Sequence, residues 1–241
     1  MLRGARRLSW LGIACGVAVG CATPAPVVPS YDFFVEPDSA DTWILKIREW
    51  QERERLSAEV VATSMQPTSP PAESVRPMSM VTARSSGLLE AKFDAYQAEQ
   101  RRALAKRLNT WAQAEAREHY RFDPPTSFAD DHWPTVQELF DRNGDDCDGL
   151  DLLTYQQLRD FGFPRDEVWR LIVRREFDGA HHMVTLWFED PADPWVLDAT
   201  GAMSLKMRRF SKLRGWSPTR VFTETAIFDV RAREAKLVAG E

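Results

Sequence analysis

Cysteine is nearly absent from this chain: 241 residues hold three, Cys15, Cys21 and Cys147. That scarcity excludes a disulfide-built scaffold, which needs several paired cysteines. Histidine is almost as scarce, with four, so chemistry that needs an imidazole has few places to sit. Long apolar runs are missing too. The stretch 8–19 is shorter than the ~20 residues that a membrane-spanning helix requires. Positive charge is not in excess: 31 Lys and Arg face 36 Asp and Glu, for a net charge of −5. An acidic chain does not track a phosphate backbone, so nucleic acid is excluded as a partner. No internal repeat is visible.

What is present begins at the N-terminus. Arg3, Arg6 and Arg7 precede the apolar stretch, and Ala18-Val19-Gly20-Cys21 follows it. A basic segment, a short apolar core and small residues read as an export signal. The tetrapeptide resembles the lipobox of bacterial lipoproteins, whose cysteine is lipidated and becomes the first mature residue. The resemblance implies cleavage before Cys21, lipid on Cys21 and a bacterial membrane as a partner. Ala22 in second place points to the outer membrane, facing the periplasm. Removing residues 1–20 takes away three arginines and no acid, carrying the net charge from −5 to −8. Cys147 is then the one thiol with no assigned partner, either inert in a core or kept for chemistry.

The rest divides by texture. Residues 21–37 read as a tether, rich in proline at their start. A helix is expected over 38–65, capped by Asp38 or Ser39, with Trp43, Ile44, Ile47, Trp50, Leu56, Val60 and Val61 at helical spacing. Residues 66–85 read as a Pro/Ser-rich linker. A long helix follows over 86–120, with Leu89, Phe93, Tyr96, Leu104, Leu108 and Trp111 on one stripe and a charged, solvated opposite face. From 121 to 232 aromatics and prolines become dense. Short helices are expected at 135–140 and 148–161, then strands at 168–176, 182–188, 194–198 and 221–230; residues 233–241 form a tail. The order is α+β, helices first and an antiparallel meander after them.

Cys147 stands where the helix over 148–161 begins. A helix N-terminus offers unpaired N–H groups and a favourable dipole to a thiolate. Downstream, His182 opens one strand and Asp198 ends the next, nearly symmetric about the loop between them. Opposed residues of an antiparallel hairpin share a face, so an imidazole and a carboxylate would stand side by side. The helix bearing Cys147 would pack on the apolar face of that hairpin, the face of Val184, Leu186 and Phe188. His181 is the rival base, pointing to the other face. His119 and His132 read as ordinary polar residues.

Residues 132–200 resemble the bacterial transglutaminase-like cysteine peptidases, a papain-like periplasmic family. The matching pieces are Trp133-Pro134-Thr135 with Glu138-Leu139, then Gly144-Asp145-Asp146-Cys147-Asp148, then His182-Met183-Val184, then Val196-Leu197-Asp198. The resemblance implies a helix bearing the nucleophile packed on an antiparallel sheet, preceded here by the long helices. It implies Cys147 as nucleophile, His182 as base, Asp198 as its orienter and a protein or peptide as substrate. The backbone N–H of Cys147 is an expected oxyanion donor, with Asn143 and Gln137 as candidates for a second. The chain departs from the pattern by an extra Asp before Cys147 and by Gly149 where the family has an acid. In some members those acids bind calcium. With Gly149 in that place the expectation is no cofactor, Asp145, Asp146, Asp148 and Asp151 being the candidates should calcium bind. The same carboxylates oppose a thiolate at Cys147. The rival reading is an inactive lipoprotein that uses the domain for binding or assembly.

Overall fold

The computed structural model describes residues 30–38, 41–64, 87–122 and 131–233, with side-chain surroundings in the first helix given as far as residue 60. The signal at 1–20, Cys21, the linker at 66–85 and all but the first residue of the tail at 233–241 lie outside the described residues. The architecture is α+β. Seven strands, β1 (Tyr31–Val35), β2 (Val168–Arg175), β3 (His181–Trp187), β4 (Trp195–Leu197), β5 (Arg208–Arg209), β6 (Trp216–Phe222) and β7 (Ile227–Ala232), form one sheet in the order β1-β7-β6-β2-β3-β4-β5. Its pairings are antiparallel. Four helices accompany it: α1 (Thr42–Ser64), α2 (Leu88–His119), α3 (Val136–Arg142) and α4 (Cys147–Asp160).

The central pair β2–β3 is buried on both faces, which is why its residues read as a near-continuous apolar run. On one face Ile172, Met183 and Trp187 join Leu152, Tyr155 and Leu158 of α4 and Ile47 and Trp50 of α1. On the other, Leu171, Val184, Leu186 and Val221 form a second core with Phe33 and Phe210. Phe33 belongs to β1, at one edge of the sheet, and Phe210 follows β5, at the other. Their rings meet edge-on at 5.8 Å, and Tyr31 meets Phe210 at 5.5 Å. The twisted sheet therefore curls until its two edges share a core.

Several expectations change. Residues 31–35 are not tether but edge strand β1, because Phe33 has an aromatic core to enter and Tyr31 and Asp32 pair with β7. The expected strand at 221–230 is two strands, split by a turn in which the Thr223 N–H donates to the Ala226 carbonyl. Asp41, not Asp38, caps α1, its Oδ1 accepting from the Ile44 N–H at 3.0 Å; Ser39, the other expected cap, lies outside the described residues. Both long helices contribute to the core beside the sheet, through Ile47 and Trp50 of α1 and Ala105 and Leu108 of α2. The buried stripe of α2 is Ala105, Leu108, Asn109, Ala112, Gln113 and Ala116; Leu89, Phe93, Tyr96 and Trp111 are exposed. Small residues win there because α2 lies close against α4 and the end of β4.

Candidate active site

The cysteine is placed by a chain of local devices. Thr135 and Glu138 form a reciprocal capping box that starts α3. The helix ends on Asn143 in the left-handed region, φ 53°, and Gly144 follows at φ 135°. A Cβ on Gly144 would strike the carbonyl of His119, so only glycine lets this turn lie on the end of α2. Asp145 then exchanges backbone bonds with that end, its N–H donating to His119 O and its carbonyl accepting from Arg121. Asp146 caps α4, accepting from the Asp148 N–H at 3.2 Å, and Cys147 is the first helical residue.

β4 stops at Leu197, opposite Thr185, leaving the edge of β3 over 181–184 open beyond it. There Met183 shares a cleft with Cys147, and its N–H favours the thiolate. Alternation sends the two histidines to opposite faces. His181 is exposed and lies against Trp43 of α1, ring centroids 4.8 Å apart. His182 is buried, lies 5.7 Å from the Trp216 ring, and its Nε2 is 3.0 Å from Asp198 Oδ1. Continuing the β3–β4 ladder would set Asp198 opposite Val184, so the two groups meet diagonally past the strand end rather than directly opposed. α4 packs on the face of Met183, Thr185 and Trp187, not on that of Val184 and Leu186: Thr185 Oγ1 donates to Asp151 Oδ1 at 2.6 Å. The apolar face of the hairpin is already taken by the curled sheet.

Asp198 is held on every side. Oδ1 accepts from the Gly201 N–H and Thr200 hydroxyl, and Oδ2 from the Met203 and Ser204 N–H groups. Its own N–H donates to Asn109 Oδ1 and its carbonyl accepts from Gln113 Nε2, both from α2. Burial pushes the Asp198 carboxyl up, but the bond to His182 and these N–H donors outweigh it and hold it below the usual carboxylate range. The roles of Asn109, Gln113 and Thr200 are not foreseen from the sequence. Two buried amides at i and i+4 on an alanine stripe are the signal that carried them.

Cys147, His181 and His182 line one cleft with Trp43, Trp133, Asp131, Asp146, Asp148 and Met183, about 170 Å³ in volume. Neither Asn143 nor Gln137, the expected oxyanion candidates, lines it; Gln137 bonds Asp141 on the surface. Among the described residues no hydrogen bond joins the thiol to either imidazole. A wider groove of about 950 Å³ between α1, α4 and the β6–β7 turn is lined by neither Cys nor His. Burial pushes the Cys147 thiol well above its ordinary range, and the carboxylates of Asp146 and Asp148 push the same way, against the pull of the Met183 N–H.

Asp148 is itself buried with Oδ2 lacking a hydrogen-bond partner. Burial, the Asp146 side chain and the charge of Asp145 raise it well above the usual carboxylate range, against Arg170. Asp151 is directly paired: Arg170 Nε donates to it at 2.8 Å. At Gly149 a Cβ would fall 2.5 Å from Asp145 Cβ and 2.8 Å from its Cγ. Glycine to alanine inside a helix ordinarily stabilises by up to ~1 kcal/mol; here the clash reverses the sign. Gly149→Ala is expected to cost about 1–3 kcal/mol, read by chemical denaturation. A stabilised variant would show that Asp145 moves aside freely.

No protein-family model matches the chain, and no curated protein matches it. Among solved structures it is similar to LapG of Legionella pneumophila, EGTA-treated, at 22% identity over 54% of this chain and 67% of that one, with a TM-score of 0.47. The same protein in calcium-bound form is similar at 22% identity over 51% of this chain and 67% of that one, TM-score 0.44. The expectation of no cofactor is corrected by that second finding, since a protein to which this chain is similar is solved with calcium.

Proposed function

We propose that the protein is an exported cysteine peptidase or amidase of the transglutaminase-like class, acting on protein substrates through Cys147, His182 and Asp198. The observation that carries this reading is the buried His182–Asp198 bond at 3.0 Å beside a helix-N-terminal cysteine in one cleft. With Nε2 committed to the carboxylate, Nδ1 is the imidazole atom left to take the thiol proton. The Cys147 sulfur attacks an amide carbonyl, and the C–N bond breaks as the imidazolium protonates the leaving amine. Water then hydrolyses the thioester and regenerates the thiol. The Cys147 N–H, unpaired in the first turn, is a donor for the oxyanion. Catalytic hydrogen bonds of this kind often close only around substrate, consistent with a thiol not yet bonded to His182. Residues 121–232, with both long helices and β1, make up the catalytic domain of this reading. The experiment that tests it is proteolysis of protein substrates by wild type and by the active-site variants described in the Discussion.

A second reading rests on the buried thiol and the acids around it: a domain that binds or assembles without chemistry. Iodoacetamide separates the two. A catalytic Cys147 is alkylated within minutes near neutral pH, and an inert one is not.

Calcium fits the donor chemistry, a cluster of carboxylate oxygens. As placed, no three His, Cys, Asp or Glu side chains among the described residues surround a metal-sized point. The orphaned Asp148 Oδ2 and the neighbouring Asp145 and Asp146 are the groups that would hold the ion. Its charge would offset the acids that oppose a thiolate. Saturating calcium is expected to raise Tm by about 5–10 °C over EGTA, from ~2.7 kcal/mol at a hundredfold excess over Kd and ~2–4 °C per kcal/mol. Asp148→Asn should lose most of that response. Identical melting curves in calcium and EGTA would sink the idea.

The proposed location is the outer membrane, through lipid on Cys21. No helix among the described residues is long and apolar enough to cross a membrane. Cys21→Ala is expected to move the protein from the membrane to the soluble fraction of fractionated cells. A wild-type protein already soluble and without lipid would refute the anchor.

A further inference from the structure

Arg170 on β2 is completely buried. Its Nε donates to Asp151 Oδ2 at 2.8 Å, and its Nη2 donates to the Asp148 carbonyl at 2.6 Å and meets Met183 Sδ at 2.9 Å. The guanidinium lies against the rings of Trp50 and Phe222, 4.8 and 5.2 Å from their centroids, and its Nη1 has no partner. Burying such a charge is costly, and an apolar replacement of the whole pair is often neutral or stabilising. Stability therefore does not account for it.

What the guanidinium touches does. One arm grips the first turn of α4, one residue beyond Cys147. The same nitrogen meets the side chain of Met183, which lines the cleft together with Cys147 and His182. Asp151 extends the clamp, because it also accepts from Thr185 of β3 at 2.6 Å. Helix and strand, which carry the sulfur on one side and Met183 and His182 on the other, are thus pinned to one rigid group.

We propose that Arg170 is a positioning residue that holds the Cys147 thiol against the Met183 N–H and so in register with His182. The catalytic half of this statement rests on the peptidase reading; the geometric half does not. Misplacement by ~1 Å at a reacting centre can cost on the order of 10²-fold in rate.

The test uses the paired variant Arg170→Met/Asp151→Leu, which removes both members of the ion pair together, beside Arg170→Met. Two readouts are taken on the full chain: kcat and KM for a cleaved protein, and the backbone amide resonance of Met183. The expected result is an unchanged set of core amide resonances and a Met183 amide moved to its position in Cys147→Ala. Kcat should fall by about 10²-fold with KM little altered. A folded paired variant with the Met183 resonance in its wild-type place overturns the proposal. So does a shifted resonance with unchanged kcat. If wild type cleaves nothing while the resonance still shifts, the peptidase reading fails and the clamp stands. If Arg170→Met alone does not fold, the paired variant decides.

Discussion

Cys147→Ala and His182→Ala are each expected to abolish amide cleavage, leaving only background. Without the sulfur there is no thioester route, and without the imidazole nothing carries the thiol proton to the leaving amine. Asp198→Asn should be less severe. The amide keeps the shape of the carboxylate and its place in the loop, but loses the charge that favours the imidazolium and fixes the tautomer. In serine-protease triads the equivalent change costs on the order of 10⁴-fold. A thiol needs less help than a hydroxyl, so the loss here should be smaller. His181→Ala is the control, on the face of β3 opposite His182 and tilted against Trp43, and should keep most of the activity. The measurement is cleavage of a protein substrate, with circular dichroism to show that each variant folds. If His181→Ala alone eliminates activity, the base is assigned to the wrong face. If Cys147→Ala leaves cleavage intact, the enzyme reading goes with it.

Trp50→Ala should cost about 3–5 kcal/mol, the range for truncating a fully buried aromatic. Trp50 has no exposed surface and packs edge-on against Phe222 at 5.6 Å. Its ring faces the Arg170 guanidinium, and its Nε1 donates to the Pro134 carbonyl at 3.1 Å. Alanine leaves a cavity, a carbonyl without its donor and a buried cation short of one aromatic wall. Leu56→Ala, on an exposed position of the same helix, should stay within about 0.5 kcal/mol. Urea titration of the two variants measures the difference. Equal midpoints would mean that α1 does not belong to the core and that the sheet with α4 stands without it.

The local parts of this protein were legible from composition and spacing. The Thr135–Glu138 box starts α3, and α4 begins within a residue of its expected place because Asp146 caps it. Such signals act over three or four residues and need no distant partner. The order of Cys147, His182 and Asp198, and the alternation along β3, were likewise readable, since residue types and period 2 are properties of the chain itself.

Tertiary structure decided the rest. The five residues Tyr31–Val35 have no local mark separating them from a tether; pairing with β7 and the place of Phe33 opposite Phe210 make them a strand. The helical period of α2 was visible, but which stripe is buried depends on where α4 and β4 end. Leu89 and Phe93 are therefore exposed while Asn109 and Gln113 are buried against Asp198. Which face of the β3–β4 hairpin receives α4 depended on the curl of the sheet, which fills the Val184 and Leu186 side with its own edges. Residue type and short-range spacing thus specify the elements and the candidate chemistry, because the forces behind them are local. Burial, and with it the buried Arg170 and the carboxylates around the thiol, is settled only when segments far apart in the chain compete for the same space.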